Sequence, residues 1–315
     1  MRIFFAINSS GCAFWRCRQP ANMIKKLGLA EVDIFAPEQT NAELTEEMVA
    51  NCDLVVHHGM LGIPSVAAIA RYKELGKTVV CDYDDLMFSV SPFNPAYKTL
   101  GLKEIKVKFD DKEEYLYKDG VDGFNLKNNY FNFRSWQDVL KSCDGITTTT
   151  SFTKNSMAEY VDGDRIYILP NSIDFNLFKP FPKQEEKQLR IGWTASDSHG
   201  VEIWMMKRIM RRLLDKYKDR IKFVELGNLT ALNQVFNNSE IEFHPFVPLD
   251  VYPLKLASLQ LDIGLCPLAN EEFNWGKSAL KWSEYAAVRV PTGGGALQHV
   301  RELSLTGHGK KRYAR

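Results

Sequence analysis

The stretch Asn270-Glu271-Glu272-Phe273-Asn274-Trp275-Gly276-Lys277-Ser278-Ala279-Leu280-Lys281-Trp282-Ser283-Glu284-Tyr285-Ala286-Ala287 follows a short apolar run, Asp262-Ile263-Gly264-Leu265-Cys266-Pro267-Leu268. That run reads as a buried parallel strand, so the whole predicts a strand, a polar loop and a helix opening near Lys277. The carboxyl ends of such strands are where open α/β sheets bind ligands. At about 100° per residue, Lys277, Lys281 and Glu284 fall within roughly 60° of one another, with Ala279, Leu280, Trp282, Ala286 and Ala287 on the other side. The pattern predicts one packed face and one face free for chemistry.

Backbone N–H groups at a helix start, together with two ammonium groups, favour a phosphate or diphosphate. A carboxylate two turns on can accept hydrogen bonds from sugar or ribose hydroxyls. An ordinary solvated face, with Lys281 and Glu284 as an i,i+3 pair, would show the same residues. The motif alone leaves both readings open.

A chain of 315 residues is comfortable for two domains, and chains of this size bury roughly 75% of their extended surface. Its 40 basic residues nearly cancel its 39 acidic ones, which argues against a broad electrostatic footprint for nucleic acid. The six cysteines, Cys12, Cys17, Cys52, Cys81, Cys143 and Cys266, contain no CxxC pair. They suit reduced thiols in a cytoplasmic protein better than disulfides or a zinc site. No apolar run approaches the roughly 18 residues that a membrane span requires, so a soluble protein is expected, with peripheral membrane contact left open.

From the amino terminus, residues 2–7 read as a first strand. A turn containing Asn8-Ser9-Ser10-Gly11 follows, then Phe14-Trp15-Arg16-Cys17-Arg18-Gln19-Pro20, and Pro20 fits the first turn of a helix to about Gly28. The GxGxxG fingerprint is absent, which disfavours a nicotinamide oxidoreductase. Strands at Val32–Ala36, Asp53–His57 and Thr78–Asp82 alternate with helical segments and predict a parallel doubly wound sheet. His58 ends one strand, placed either to polarise a hydroxyl or as a hydrogen-bonded structural imidazole. Asp82-Tyr83-Asp84-Asp85 ends another, where carboxylates serve as acceptor ligands, metal ligands or turn formers. Residues 89–129 are the least regular and are the candidate for acceptor selectivity.

A helix near Phe131–Ser142, a strand of threonines to Thr150, and a strand at Arg165–Leu169 lead to Pro170-Asn171-Ser172-Ile173-Asp174. Pro180, Pro182 and the charged run from Lys183 mark a linker, placing the domain boundary near residue 176. The first domain is therefore expected over residues 1–175 and the second over 176–315. Leu189–Trp193 restarts the strand pattern. Thr194-Ala195-Ser196-Asp197-Ser198-His199-Gly200 then leads into a helix, where hydroxyls and backbone N–H groups make a phosphate cradle or a plain N-cap.

The run Lys277-Ser278-x-x-Lys281-Trp282-x-Glu284-Tyr285-Ala286-Ala287-x-x-x-Pro291 resembles the nucleotide-sugar site of retaining glycosyltransferases of the GT-B fold, the group 1 or family 4 type, in a divergent branch. The Pro170–Asp174 pentapeptide is similar to the element ending the first domain of that fold, with Ser172 in place of glycine. Gly11-x-x-x-Trp15-Arg16-x-x-x-Pro20-Ala21 is similar to its first cleft loop. The resemblance implies two Rossmann-like α/β domains. It also implies transfer of a sugar, with retention and without a metal, from a nucleotide-diphosphate sugar to a hydroxyl acceptor, glycan, lipid-linked or other.

By the same resemblance Glu284 would hold the donor ribose, while Lys277, Ser278, Lys281 and the loop of Thr194, Ser196 and His199 would stabilise the leaving diphosphate. Gly11, Arg16, Asp84 and Asp85 would lie on the acceptor side, with His58 facing the reacting sugar. No cofactor is implied beyond the nucleotide sugar as co-substrate. The family commonly has a first glutamate eight positions before the second, and Gly276 stands there. After Pro291 the pattern departs from the family, ending in the basic tail Lys310-Lys311-Arg312-Tyr313-Ala314-Arg315, so an incomplete second domain is expected, by truncation or a shifted reading frame, active or impaired. The alternative is a nucleotide- or sugar-binding protein of the same fold without turnover.

Overall fold

The computed structural model describes residues 1–7, 11–35, 42–59, 61–109, 112–184, 187–228, 236 and 240–293. The turn expected at Asn8-Ser9-Ser10 and the basic tail from Lys310 lie outside them. The chain forms two compact units. One comprises Met1–Pro92, Ala96–Asn171 and Gly276–Ser278; the other comprises Phe93–Pro95, Ser172–Trp275 and the described residues from Ala279 onward.

In the first unit, β1 (Arg2–Ala6), β2 (Glu31–Phe35), β3 (Leu54–His58), β4 (Thr78–Asp82), β7 (Gly145–Thr148) and β8 (Ile166–Ile168) form a sheet ordered β2-β1-β3-β4-β7-β8. Every described pairing in it is parallel. Phe4, Val55, Val79, Cys81 and Ile146 are buried because helices cover both faces, as continuous apolar strands of this kind demand. The helices are α1 (Gln19–Lys26), α2 (Ala42–Ala50), α3 (Ile63–Glu74), α5 (Leu126–Ser142) and α6 (Ser151–Met157). Asn125 caps α5 by accepting from the Asn128 N–H, and Thr150 with Thr153 forms a capping box at α6. The segment that looked irregular holds a short helix, α4 (Tyr97–Leu100), and an antiparallel hairpin, β5 (Ile105–Phe109) and β6 (Lys112–Tyr117). Tyr97, Tyr117 and Phe124 pack together beneath the hairpin, a three-ring cluster that alternation could not announce.

The second unit contains β9 (Leu189–Ser196), β10 (Ile221–Asn228), β11 (Ile241–Pro245), β12 (Ile263–Leu265) and β13 (Thr292–Gly293), ordered β11-β10-β9-β12-β13 and parallel throughout the described pairings. Its helices are α7 (Gly200–Tyr217), α8 (Tyr252–Ser258), α9 (Glu272–Trp275) and α10 (Leu280–Ala287). Ile203, Met206, Met210 and Leu214 of α7 pack on Ile191, Trp193, Ile221 and Phe223. Both units thus carry the doubly wound Rossmann-like architecture. Each has a point where strand order reverses, β1/β3 in the first and β9/β12 in the second, and that is where such sheets bind ligands. Among the described residues, no helix is long and apolar enough to cross a membrane.

Candidate functional site

At the reversal point of the second unit, β9 delivers Thr194 and the chain after β12 delivers Cys266. Tyr285 of α10 lies against Gly264 of β12, where a Cβ would stand 2.6 Å from the ring. Only glycine leaves that notch open. The Tyr285 hydroxyl accepts from the Thr194 N–H at 3.1 Å. One residue earlier on the helix, Glu284 is turned to the same strand end. Tyr252 of α8 donates to Glu284 Oε2 at 2.8 Å and lies 3.2 Å from Thr194 Oγ1. Lys281 Nζ donates to the Thr194 carbonyl and lies 3.1 Å from Thr194 Oγ1.

The face expected to be free is therefore partly inward. Glu284 is only 5% exposed whereas Trp282 is 46% exposed. Seating Tyr285 in the Gly264 notch sets the rotation of this short helix; Tyr252 supplies the hydrogen bond a buried carboxylate needs, and Lys281 a nearby positive charge. The helix also opens later than the sequence predicts, at Leu280, so Lys277 and Ser278 precede it. Burial pushes the Glu284 carboxyl up, against the opposing pull of Lys281 and Tyr252. Burial and the nearby Glu284 push the Tyr252 hydroxyl well up, which keeps it a donor at neutral pH.

Ser196 and Ser198, both exposed, face each other at 2.8 Å between their hydroxyl oxygens. His199 opens α7, with Nδ1 3.7 Å from Glu202. Glu202 accepts from the Ala269 N–H at 2.8 Å and from Asn274 Nδ2 at 2.6 Å, tying the start of α7 to the loop after β12. Burial opposes its ionisation, yet these donors and His199 hold the carboxyl down at about 2.

In the first unit, a π-helical turn, Phe14–Arg18, directs Arg16 into the sheet's carboxyl edge. Arg16 is buried, and its guanidinium grips Asp82 through Nε at 3.0 Å and Nη2 at 2.5 Å. It also donates to the Leu169 carbonyl and to Asn171 Oδ1, the latter at 3.1 Å. Asp82 further accepts from Thr147 Oγ1 at 2.6 Å. Gly11 is exposed and accepts from the Phe14 N–H. His58 is buried with Nε2 3.8 Å from Asp82 Oδ1, and neither ring nitrogen has a hydrogen-bond partner among the described residues. Burial pulls its pKa down although Asp82 pulls the other way, so the imidazole is kept neutral.

Lys277 pairs with Asp85 at 2.7 Å, and Ser278 Oγ accepts from Asn171 Nδ2 at 2.8 Å. Burial would depress the Lys277 ammonium, but Asp85 outweighs it and raises the pKa. Asp84 is lifted to about 6 by burial and by Asp85, with the Cys12 thiol as a hydrogen-bond partner. Gly276 stands where a Cβ would come 2.9 Å from Thr153 Cγ2 and 3.2 Å from Leu86 Cγ, so a glutamate does not fit there.

Two groupings result. Thr194, Lys281 and Glu284 converge in the second unit, while Arg16, His58, Asp84, Asp85, Lys277 and Ser278 line the strand ends of the first. The partners that sequence reading missed are Tyr252, Tyr285, Glu202 and Asn274. Tyr285 adjoins Glu284 in the motif and Asn274 lies in the loop before it, whereas Tyr252 carries no local signal. Among the described residues, no group of three or more His, Cys, Asp or Glu side chains could hold a metal ion.

No family model matches the sequence, and no curated protein matches it. Solved structures do share the fold. WaaG, a glycosyltransferase of lipopolysaccharide biosynthesis, superposes with a TM-score of 0.58 at 13% identity, covering 98% of this chain and 84% of its own. The catalytic domain of starch synthase IV from Arabidopsis thaliana, bound to ADP and acarbose, gives 0.53 at 9%, covering 99% and 92%. HepE of Anabaena, in complex with UDP, gives 0.52 at 12%, covering 96% and 83%. The chain is similar to these proteins in having two Rossmann-like units of the GT-B fold.

Proposed function

We propose that this protein is a glycosyltransferase that moves a sugar from a nucleotide-diphosphate sugar to a hydroxyl acceptor, with retention and without a metal. The main support is the buried Glu284 carboxylate, partnered by Tyr252 and set beside Lys281 and Thr194 at the strand-order reversal of the second unit. A carboxylate held there has acceptor capacity for vicinal ribose hydroxyls, and Lys281 supplies positive charge toward a diphosphate. The fold shared with nucleotide- and sugar-bound glycosyltransferases is consistent with this reading.

In the proposed reaction the bond from the anomeric carbon to the diphosphate oxygen breaks and a bond to the acceptor oxygen forms. The acceptor hydroxyl's proton leaves to phosphate or solvent. Negative charge grows on the departing diphosphate, so preorganised cations and N–H groups lower the barrier more than they strengthen ground-state binding. Lys281, Lys277, Ser278 and the Thr194–His199 loop are assigned to that task. Glu284 is assigned to the ribose, and Asp84, Asp85 and the Gly11 loop to the acceptor side, with His58 behind them as a neutral imidazole.

The test is a panel of UDP-, GDP-, ADP- and dTDP-sugars. It reads the melting temperature for binding and released nucleoside diphosphate for transfer to glycan and lipid-linked acceptors. One donor class should raise Tm and be consumed, and Glu284→Gln should abolish the Tm shift. No shift with any donor would sink the proposal. A shift without release would select a non-catalytic binding protein.

A further inference from the structure

Helix α7 is divided sharply around its circumference. Ile203, Met206, Met210 and Leu214 enter the core of the second unit, whereas Trp204, Met205, Arg208, Ile209, Arg212 and Lys216 face solvent. At about 100° per residue the solvent-facing set sweeps an arc of roughly 140°. Trp204 is 58% exposed, Ile209 47% and Met205 38%. Asp215 is the one exposed acid on the helix, since Glu202 is buried.

Cationic side chains interleave with these apolar ones. Lys207, Arg208, Arg211 and Arg212 line a shallow cavity of about 360 Å³ with no acid among its lining residues. Arg211 is committed to Glu240 and stacks over Phe236, so it forms a wall, while Arg208 and Arg212 present their charge outward.

Three kinds of partner attract such a surface. Nucleic acid is met by tracks of cations, and exposed Ile and Met contribute nothing to phosphate contact. A protein helix seeks a groove, whereas this arc is convex. A bilayer matches the mixture: tryptophan sits at headgroup level, neighbouring apolar side chains enter the acyl boundary, and arginines meet lipid phosphates.

We infer that α7 is a peripheral docking face for an anionic phospholipid surface, with Trp204, Met205 and Ile209 inserted and Arg208, Arg212 and Lys216 on headgroup phosphates. This stands on the helix surface alone and is independent of the donor site, so the two can fail separately.

Sedimentation of the whole protein with vesicles tests it. Wild type should pellet with equimolar phosphatidylcholine and phosphatidylglycerol but not with phosphatidylcholine alone, and raised salt should release it. Each Lys or Arg near an anionic leaflet contributes on the order of fivefold in affinity. The double charge reversal Arg208→Glu, Arg212→Glu should therefore lower partitioning at least about tenfold. Arg208→Gln with Arg212→Gln, a gentler change, should lie between them, and an unchanged circular dichroism melt should establish that both variants fold. Trp204→Ala should weaken binding and remove the vesicle-induced blue shift of tryptophan emission. The inference is overturned if wild type ignores the anionic vesicles, if the folded charge-reversed protein pellets as well as wild type, or if a single-stranded RNA competes the vesicles off at equal charge.

Discussion

Tyr252 donates its phenolic hydrogen to Glu284 Oε2 at 2.8 Å, joining α8 to α10 at the carboxyl edge of the second sheet. Glu284 is buried and Tyr252 half-buried, so the bond orients a carboxylate largely shielded from water. Removing the donor alone, in Tyr252→Phe, leaves the ring's packing against Phe178 in place. We expect a stability loss of about 1 kcal/mol in urea titrations. Donor KM should rise several-fold with kcat nearly unchanged, as suits a group that positions rather than reacts.

Lys277 and Asp85 form an ion pair at 2.7 Å. If Lys277 turns to the donor diphosphate, Asp85 competes for it. Lys277→Met should weaken donor binding tenfold or more, the scale of a charge-assisted hydrogen bond. Asp85→Asn should tighten donor binding in the same calorimetric titration.

A Cβ at residue 276 would stand 2.9 Å from the Thr153 methyl and 3.2 Å from Leu86 Cγ. Gly276→Ala should cost about 1–3 kcal/mol by overpacking, read as a lowered urea midpoint at unchanged slope. Gly276→Glu should fail to accumulate as folded protein. A side chain at 276 thus has no room unless Thr153 or Leu86 shifts.

Arg16 and Asp82 are both almost completely buried. Arg16→Met leaves the Asp82 carboxylate without its main counter-charge, and about 3–5 kcal/mol of stability should be lost. Pairing Arg16→Met with Asp82→Leu should recover much of it in a double-mutant cycle.

His57 is buried with both ring nitrogens unpartnered among the described residues, and burial, then His58, pull its pKa down to about 4. The unfolded imidazole titrates near 6.5, so between these values the unfolded chain binds a proton that the folded chain refuses. The contribution is therefore complete above about pH 6.5 and is lost as pH falls toward 4, at about 1.4 kcal/mol per pH unit. Asp84, raised to about 6, acts in the opposite sense over much of that range. Comparing wild type with His57→Leu at several pH values isolates the histidine, and a difference that stays constant with pH would refute the assignment.

The amino-acid sequence by itself determined the parallel α/β character of both halves. Runs such as Ile3–Ala6 and Ile263–Leu265 are apolar on both faces and can be satisfied only between helix layers. It also placed Thr194 near the end of one strand and Lys281 and Glu284 on the helix that follows another, because strand-loop-helix order is local. What only the tertiary structure decided were the partnerships: Arg16 with Asp82, Tyr252 with Glu284, and Lys277 with Asp85 across 192 positions. Hydrophobic periodicity reports which side of an element is buried, not which strand lies beside it. Even that report erred at α10, where a notch at Gly264 took up Tyr285 and turned Glu284 inward. Over eight residues one large side chain seated in a matching gap outweighs the average of a weak pattern, and that fit exists only once β12 and β9 are side by side.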